Sequence, residues 1–162
     1  MNKITVEICT QVAKLMDETI SHYRELMRFE VEKLKLISSD NVDELMLSLS
    51  REQALVMKST SLENKRIKLF SELGIANITL TELVENSPNE SKVQMKTLHK
   101  DFTELVNEVK RINDNISEIA KEKLKHVNEY LSRSGTASSQ GLYTGSGKKT
   151  GGNSPSEPFR KA

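Results

Sequence analysis

Glycine and proline are missing from the first 73 residues, and this absence constrains the fold more than any other feature of the sequence. The first glycine is Gly74 and the first proline is Pro88. These two residue types most often end helices and form turns. Six of the seven glycines and two of the three prolines follow residue 134. The chain therefore divides into a body, 1–134, in which long helices are possible, and a tail, 135–162.

Apolar residues in the first part of the body recur every three or four positions, as on one face of a helix. This spacing predicts a first helix at about 4–37, ended by the polar run Ser38–Asp40. The residues that carry the pattern are Ile4, Ile8, Val12, Leu15, Ile20, Tyr23, Met27, Val31 and Leu34.

A second helix is predicted at about 41–73, with Asp40 as its N-cap and Gly74 beyond its C-terminal end. Polar residues interrupt its apolar face at Glu52, Ser59, Glu63 and Arg66. One interpretation places them at the rim of the core or in pairs within the helix. The other is that they set the register of the helix or contact a partner.

Two capping signals follow. The sequence Thr79-Leu80-Thr81-Glu82 matches a capping box and predicts a short helix at 80–86. Ser87-Pro88-Asn89-Glu90 predicts the start of a long third helix at 88–132. Apolar residues repeat there with alternating steps of three and four from Met95 to Ile119, the rhythm of a coiled coil.

Three long helices with short connections predict an all-α fold, an elongated antiparallel bundle of coiled-coil type. The tail holds few apolar residues, and a segment of that composition buries too little surface to offset the entropy of ordering. We therefore expect a folded body, 1–134, and a disordered Gly- and Ser-rich tail, 135–162.

The composition argues against several classes of protein. Lys and Arg number 24 and Asp and Glu 23, a balance unlike the basic excess of nucleic-acid binders. The lone cysteine, Cys9, fits a reducing compartment, and charged residues recur too often for a membrane-spanning segment. These features predict a cytoplasmic protein without nucleic-acid binding or membrane insertion.

Chemical motifs are weak. Gly145-Ser146-Gly147-Lys148-Lys149-Thr150 resembles a phosphate-binding loop, but Leu142 occupies the place of its first glycine and Lys149 that of its Ser or Thr. The three histidines stand apart and lack the spacing of metal ligands. We therefore expect no enzyme activity, no cofactor and no metal site.

Several segments resemble the FlgN family of flagellar type III export chaperones. The similarity covers about residues 1–146. In the first two helices it is carried by Tyr23, Leu26 and Glu30–Leu34, and by the pattern Leu62-Glu63-x-x-Arg66-x-x-Leu69-x-x-x-Leu73-Gly74. Further along the chain it is carried by Ile112-Asn113-Asp114-Asn115-Ile116 and by Leu142-Tyr143-Thr144-Gly145.

The resemblance implies a function. Such chaperones bind the amphipathic C-terminal segments of hook-associated, hook–filament junction proteins and deliver them to the export gate and ATPase complex. It places client binding on the third helix, with two asparagines as polar selectors, and gate docking at Leu142 and Tyr143. The predicted client-binding residues are Leu98, Phe102, Leu105, Val109, Ile112, Asn113, Asn115 and Ile116.

Three questions stay open at this point. The same third-helix residues could be consumed by packing on the first two helices. The chain could instead be a structural coiled-coil homodimer, or a chaperone for filament-cap or filament proteins. We expect a monomer or a weak dimer.

Overall fold

The structure is a computed structural model that describes residues 3–135 and, for the backbone alone, 142–143 and 149–150. Its helices are α1 (Val6–Ser38), α2 (Val42–Glu72), α3 (Leu80–Glu85) and α4 (Asn89–Arg133). The all-helical prediction is confirmed over 3–135. The described residues form four helices, three long ones and the short α3 between α2 and α4.

Residues 142–143 and 149–150 form two short strands, β1 (Leu142–Tyr143) and β2 (Lys149–Thr150), that sequence analysis did not predict. They pair antiparallel, with Leu142 opposite Thr150 and Tyr143 opposite Lys149. The rest of the predicted tail lies outside the described residues.

The chain divides into two compact units, 1–117 and 118–162, and α4 passes from the first into the second. In the second unit, α4 presents Leu124, Val127 and Tyr130 as exposed side chains. The predicted division at residue 134 stays a prediction.

The turn between α1 and α2 differs by one residue from the predicted one. Asp40 adopts a left-handed conformation, with φ of 57°, and Asn41 is the N-cap. The Asn41 side chain accepts a hydrogen bond of 3.3 Å from the backbone N–H of Glu44. At the other end of α2, Gly74 has φ of 69°, the left-handed value expected just after a helix.

The helices α1 and α2 pack antiparallel, and ion pairs along their flank define the register. Residues seven apart on α1 meet residues seven apart on α2, so the contact repeats every two turns. The pairs are Glu18–Lys65 at 2.7 Å, Glu25–Lys58 at 3.4 Å and Glu32–Arg51 at 3.1 Å. All six side chains are exposed, so each pair contributes at most ~1 kcal/mol.

A polar layer lies beneath these pairs, inside the α1–α2 interface. Lys33, on α1, lies 2.6 Å from Oε1 of Glu52 and 3.1 Å from Oε2 of Glu30. The imidazole Nε2 of buried His22 lies 2.7 Å from the Ser59 hydroxyl. Two of the polar interruptions of α2, at 52 and 59, therefore face α1 and contact its buried polar residues.

The apolar core of the first unit lies where four segments meet: the first half of α1, the C-terminal end of α2, α3 and the first turns of α4. Its buried members are Ile4, Cys9, Val12, Ala13, Met16, Ile20, Phe70, Ile75, Leu83, Val84, Met95 and Leu98. The capping box of α3 forms as predicted, with Thr79 and Glu82 bonded reciprocally, and it positions Leu83 and Val84 in this core.

Within the first unit, α4 runs parallel to α1. The Cys9 thiol donates a weak hydrogen bond of 3.5 Å to the hydroxyl of Ser87, and the rings of Tyr23 and Phe102 meet further along both helices. Ser87 was a candidate cap for α4, but its hydroxyl donates to the carbonyl of Leu83 at 2.7 Å. The direction of α4 leaves a groove above α1, between α2 and α4.

Candidate functional site

The groove encloses about 370 Å³ and has an apolar floor. Helix α1 supplies the floor, α2 and α4 supply the two walls, and the start of α3 closes part of it. The apolar lining residues are Val12, Leu15, Met16, Leu62, Phe70, Leu80 and Phe102, and the polar ones are Thr19, Tyr23, Ser59, Glu63, Arg66 and Thr79.

The floor of the groove runs along α1 from Val12 to Tyr23. Eleven helical steps of 1.5 Å span about 16 Å, which matches roughly three turns of a second helix. Helix-in-groove recognition uses apolar residues spaced three and four apart over such a length.

One planar ion pair stands on the α2 wall. Arg66 donates from Nε to Glu63 at 2.8 Å and from Nη2 at 2.6 Å, a two-pronged contact. The hydrogen bond from Arg66 lowers the pKa of Glu63, so the carboxylate stays ionised. The guanidinium carbon lies 5.1 Å from the centre of the Phe70 ring. Hence the wall offers charge beside apolar surface.

Two aromatic rings join α1 and α4 at the far end of the floor. Tyr23 and Phe102 meet edge to face, with 5.3 Å between centroids and 90° between ring planes. This arrangement is the favourable one for aromatic pairs. Both side chains are only half buried, and both line the groove.

The predicted client-binding residues of α4 fall into three environments. Leu98, Ile112 and Ile116 are buried within the chain. Phe102, Leu105 and Val109 are half buried, and Asn113 and Asn115 are exposed. Phe102 alone among the eight lines the groove; Leu105 borders a second depression with Met27 of α1. Client contact at these eight positions stays a prediction.

The predicted docking residues Leu142 and Tyr143 lie in β1. Their side chains are outside the described part of the chain, so gate docking also stays a prediction.

No binding role was predicted for the α1 residues that line the groove. Leu15 was named only as a member of the apolar face of the first helix, and Thr19 was not singled out. The half-polar character of that face between Leu15 and Tyr23 was the available signal, since a fully packed core face rarely carries a threonine and a tyrosine so close together.

The described residues contain neither a metal-site cluster nor a candidate membrane-spanning helix. No group of three His, Cys, Asp or Glu side chains there has the arrangement of a metal site. The same part of the chain contains no helix with the length and hydropathy needed to cross a membrane.

These features define a protein that is helical over residues 3–135, with an apolar groove lined by residues of α1, α2, α4 and the start of α3. The sequence matches the family described as FlgN protein over residues 8–151. The chain therefore belongs to the FlgN family, a family of flagellar export chaperones. Neither a search of curated proteins nor a search of solved structures gave a match.

Proposed function

We propose that this protein is a cytoplasmic export chaperone that binds the amphipathic C-terminal helical segments of hook-associated, hook–filament junction proteins. It prevents their premature assembly and delivers them to the type III export gate. Membership of the FlgN family supports the general role. The observation that carries the client-binding part is the groove with its apolar floor.

The chemistry of the groove suits one face of an amphipathic helix. The apolar residues of the client would cover the half-buried Leu15, Leu80 and Phe102, and its polar residues would meet the Arg66–Glu63 pair at the wall. A client segment that orders on binding loses roughly 2–5 kcal/mol of the gross interaction energy. The resulting affinity is moderate, which suits a chaperone that must release its client.

The α4 residues extend this proposed site beyond the groove. Phe102 connects the groove to Leu105 and Val109, and Asn113 and Asn115 stand exposed further along α4. In this proposal the half-buried residues contact the client and the asparagines select it. Leu98, Ile112 and Ile116 are buried in the free chain, so their direct contact with a client requires α4 to separate from its neighbours.

A charge placed on the groove floor tests the site. Thr19 is half buried in the groove, and its hydroxyl donates to the carbonyl of Leu15. Thr19→Arg should weaken binding of a labelled peptide from the C-terminal segment of a junction protein by roughly tenfold or more, because it places a long, charged side chain on the apolar floor that the peptide would cover. Fluorescence anisotropy measures the affinity.

The matched control is Thr10→Arg. Thr10 lies on the same helix, is exposed, and makes the same type of bond, to the carbonyl of Val6. It should bind the peptide normally. Unchanged affinity in the Thr19 variant would exclude the groove as the client site. Tighter binding of filament-cap or filament peptides than of junction peptides would favour a different client.

Export-gate docking is proposed for Leu142 and Tyr143, as the family resemblance implies. Tyr143→Ala should leave peptide affinity unchanged and reduce secretion of the junction proteins, because it removes the ring without altering the groove. Tyr143→Phe, which keeps the ring, is the control. Normal secretion by Tyr143→Ala would remove the docking role, and so would a parallel loss of peptide affinity.

A further inference from the structure

The face of α2 turned away from α1 is apolar and open. Met46, Leu49, Val56 and Met57 lie on it, and Leu47 lies at its edge, beside a depression that Phe29 and Leu36 of α1 also line. The exposed fraction of these α2 residues runs from 47% for Leu49 to 79% for Leu47. An exposed helix face in a soluble protein normally carries charges. Exposed apolar patches of this kind mark interaction sites.

The patch also lacks charge. Between Met46 and Met57 the charged residues are Arg51 and Glu52, and both are directed toward α1. Arg51 pairs with Glu32 at 3.1 Å, and Glu52 pairs with Lys33 at 2.6 Å. The outward arc over these three turns is therefore uncharged, so it offers nothing to a partner recognised by charge.

The centre of the patch has coiled-coil spacing. Met46, Ser50, Gln53 and Met57 follow one another at steps of four, three and four. Leu47 and Ala54 flank this line on one side, and Leu49 and Val56 flank it on the other. The pattern is nearly symmetric about the midpoint between residues 51 and 52.

That symmetry makes the patch complementary to itself in an antiparallel pair. With a two-fold axis at residues 51 and 52, Met46 meets the second copy's Met57, and Ser50 meets the second copy's Gln53. On the flanks, Leu47 meets Ala54 of the second copy and Leu49 meets its Val56. Each large apolar residue thus covers an apolar residue, and small Ser50 permits close approach at the axis.

The charged residues Asp43 and Lys58 bound the apolar patch. In the same register exposed Asp43 lies opposite Thr60 of the second copy, and Lys58 keeps its pair with Glu25 of its own α1 at 3.4 Å. A parallel pair would instead place the two Asp43 carboxylates side by side.

We propose that the outward face of α2 binds a second copy of this chain, antiparallel, with Met46 of each copy packed on Met57 of the other. The contact from Met46 to Met57 extends over about 16 Å of a single helix. Stable dimers bury ~800 Å² per partner, more than one helix face of this length supplies. The dimer is accordingly weak and dissociates on dilution.

Sedimentation velocity of the full chain over a wide concentration range tests the proposal. The wild-type chain should shift from monomer to dimer as its concentration rises. Met46→Lys and Met57→Glu should each raise the dimer dissociation constant by roughly tenfold, because a charge is buried against a methionine. The double variant Met46→Lys/Met57→Glu should recover dimerisation, since each lysine then faces a glutamate.

Val93→Glu is the matched control, because Val93 is 77% exposed on α4 and lies outside the patch. It should dimerise like the wild type. Circular dichroism verifies that every variant is folded. A chain that stays monomeric at all concentrations would overturn the proposal. So would single variants that dimerise normally, or a double variant that stays as weak as the singles.

The client peptide gives an independent result. We expect Met57→Glu to weaken dimerisation and to leave the peptide affinity unchanged. Loss of peptide binding in Met57→Glu, without any effect on self-association, would identify the face as a client site and overturn the dimer. If only Thr19→Arg loses peptide binding, the result supports the groove as the client site. It does not change the proposal that the α2 face binds a second copy.

Discussion

His22 is a buried histidine whose pKa is shifted in the folded chain. Burial lowers its pKa, the nearby charge of Lys58 lowers it further, and Glu25 acts in the opposite direction. The imidazole Nε2 lies 2.7 Å from the Ser59 hydroxyl, and which of the two donates depends on the tautomer of the ring. Nδ1 has no hydrogen-bond partner among the described residues, so a protonated ring would carry a buried N–H without an acceptor.

The direction of the pH effect follows. In the unfolded chain His22 takes up a proton near its ordinary pKa, and in the folded chain it does so only at lower pH. The stability due to neutral His22 is thus complete above the ordinary pKa, ~6.5. It is lost as pH falls through the window below that value, where only the unfolded chain is protonated.

We therefore expect the melting temperature of the wild type to fall between pH 7.5 and pH 5.5 by more than that of His22→Gln. Glutamine can still bond Ser59 and does not titrate. His126→Gln, at a residue exposed on α4, should retain the wild-type pH dependence. Parallel melting curves for wild type and His22→Gln across this range would refute the account.

At the scale of helices, the Lys33 cluster joins α1 to α2. Burial disfavours the charged form of Lys33, but hydrogen bonds to Glu52 and Glu30 outweigh that effect and raise its pKa. The side chains of Lys33 and Glu30 are 9% and 6% exposed. Removing one partner from such a cluster leaves a buried charge uncompensated and strongly lowers the free energy of unfolding. Replacing the whole cluster by apolar groups has a much smaller effect on stability.

Lys33→Met should accordingly lower the free energy of unfolding by roughly 3–5 kcal/mol, because it leaves two carboxylates without their cation. The triple variant Lys33→Met/Glu30→Gln/Glu52→Met should recover most of this loss. Urea unfolding followed by circular dichroism measures both. A loss below about 1 kcal/mol in the single variant would show that the cluster is solvated and dispensable.

The two faces of α2 illustrate how one element serves two purposes. Leu55 and Leu62 face α1 and are buried, and the polar residues between them contact the polar residues of α1. These contacts make a one-turn slip of α2 unfavourable, because Lys33 and His22 would lose their partners. The opposite face is exposed, and it is the face that we propose binds a second copy of the chain.

For the whole chain, we predict that residues 1–134 fold without the tail. The buried apolar residues of the described part all lie between Ile4 and Ile116. Truncation before Gly135 should leave the melting temperature within a few degrees of the full-length value, because the segment removed is poor in apolar residues. Differential scanning calorimetry of both chains provides the comparison. A larger fall would mean that the tail stabilises the body.

Helix positions were predictable from the sequence alone. The four helices begin and end within two residues of the bounds expected from apolar spacing and capping residues. These signals are local: a capping threonine, a glycine in the left-handed region and apolar residues one turn apart all act within a few positions. The FlgN family was also recognisable at this level.

Tertiary structure decided which apolar faces are covered. Ile112 and Met46 both stand in three-four patterns, yet Ile112 is buried and Met46 is 62% exposed. Spacing shows that a helix has an apolar face, and it does not show what that face meets. Glu52 contacts Lys33 across 19 residues of chain, and Tyr23 contacts Phe102 across 79 residues. Both contacts depend on how the helices pack and not on local spacing. The groove and the open face of α2 arise only from how α1, α2 and α4 pack together.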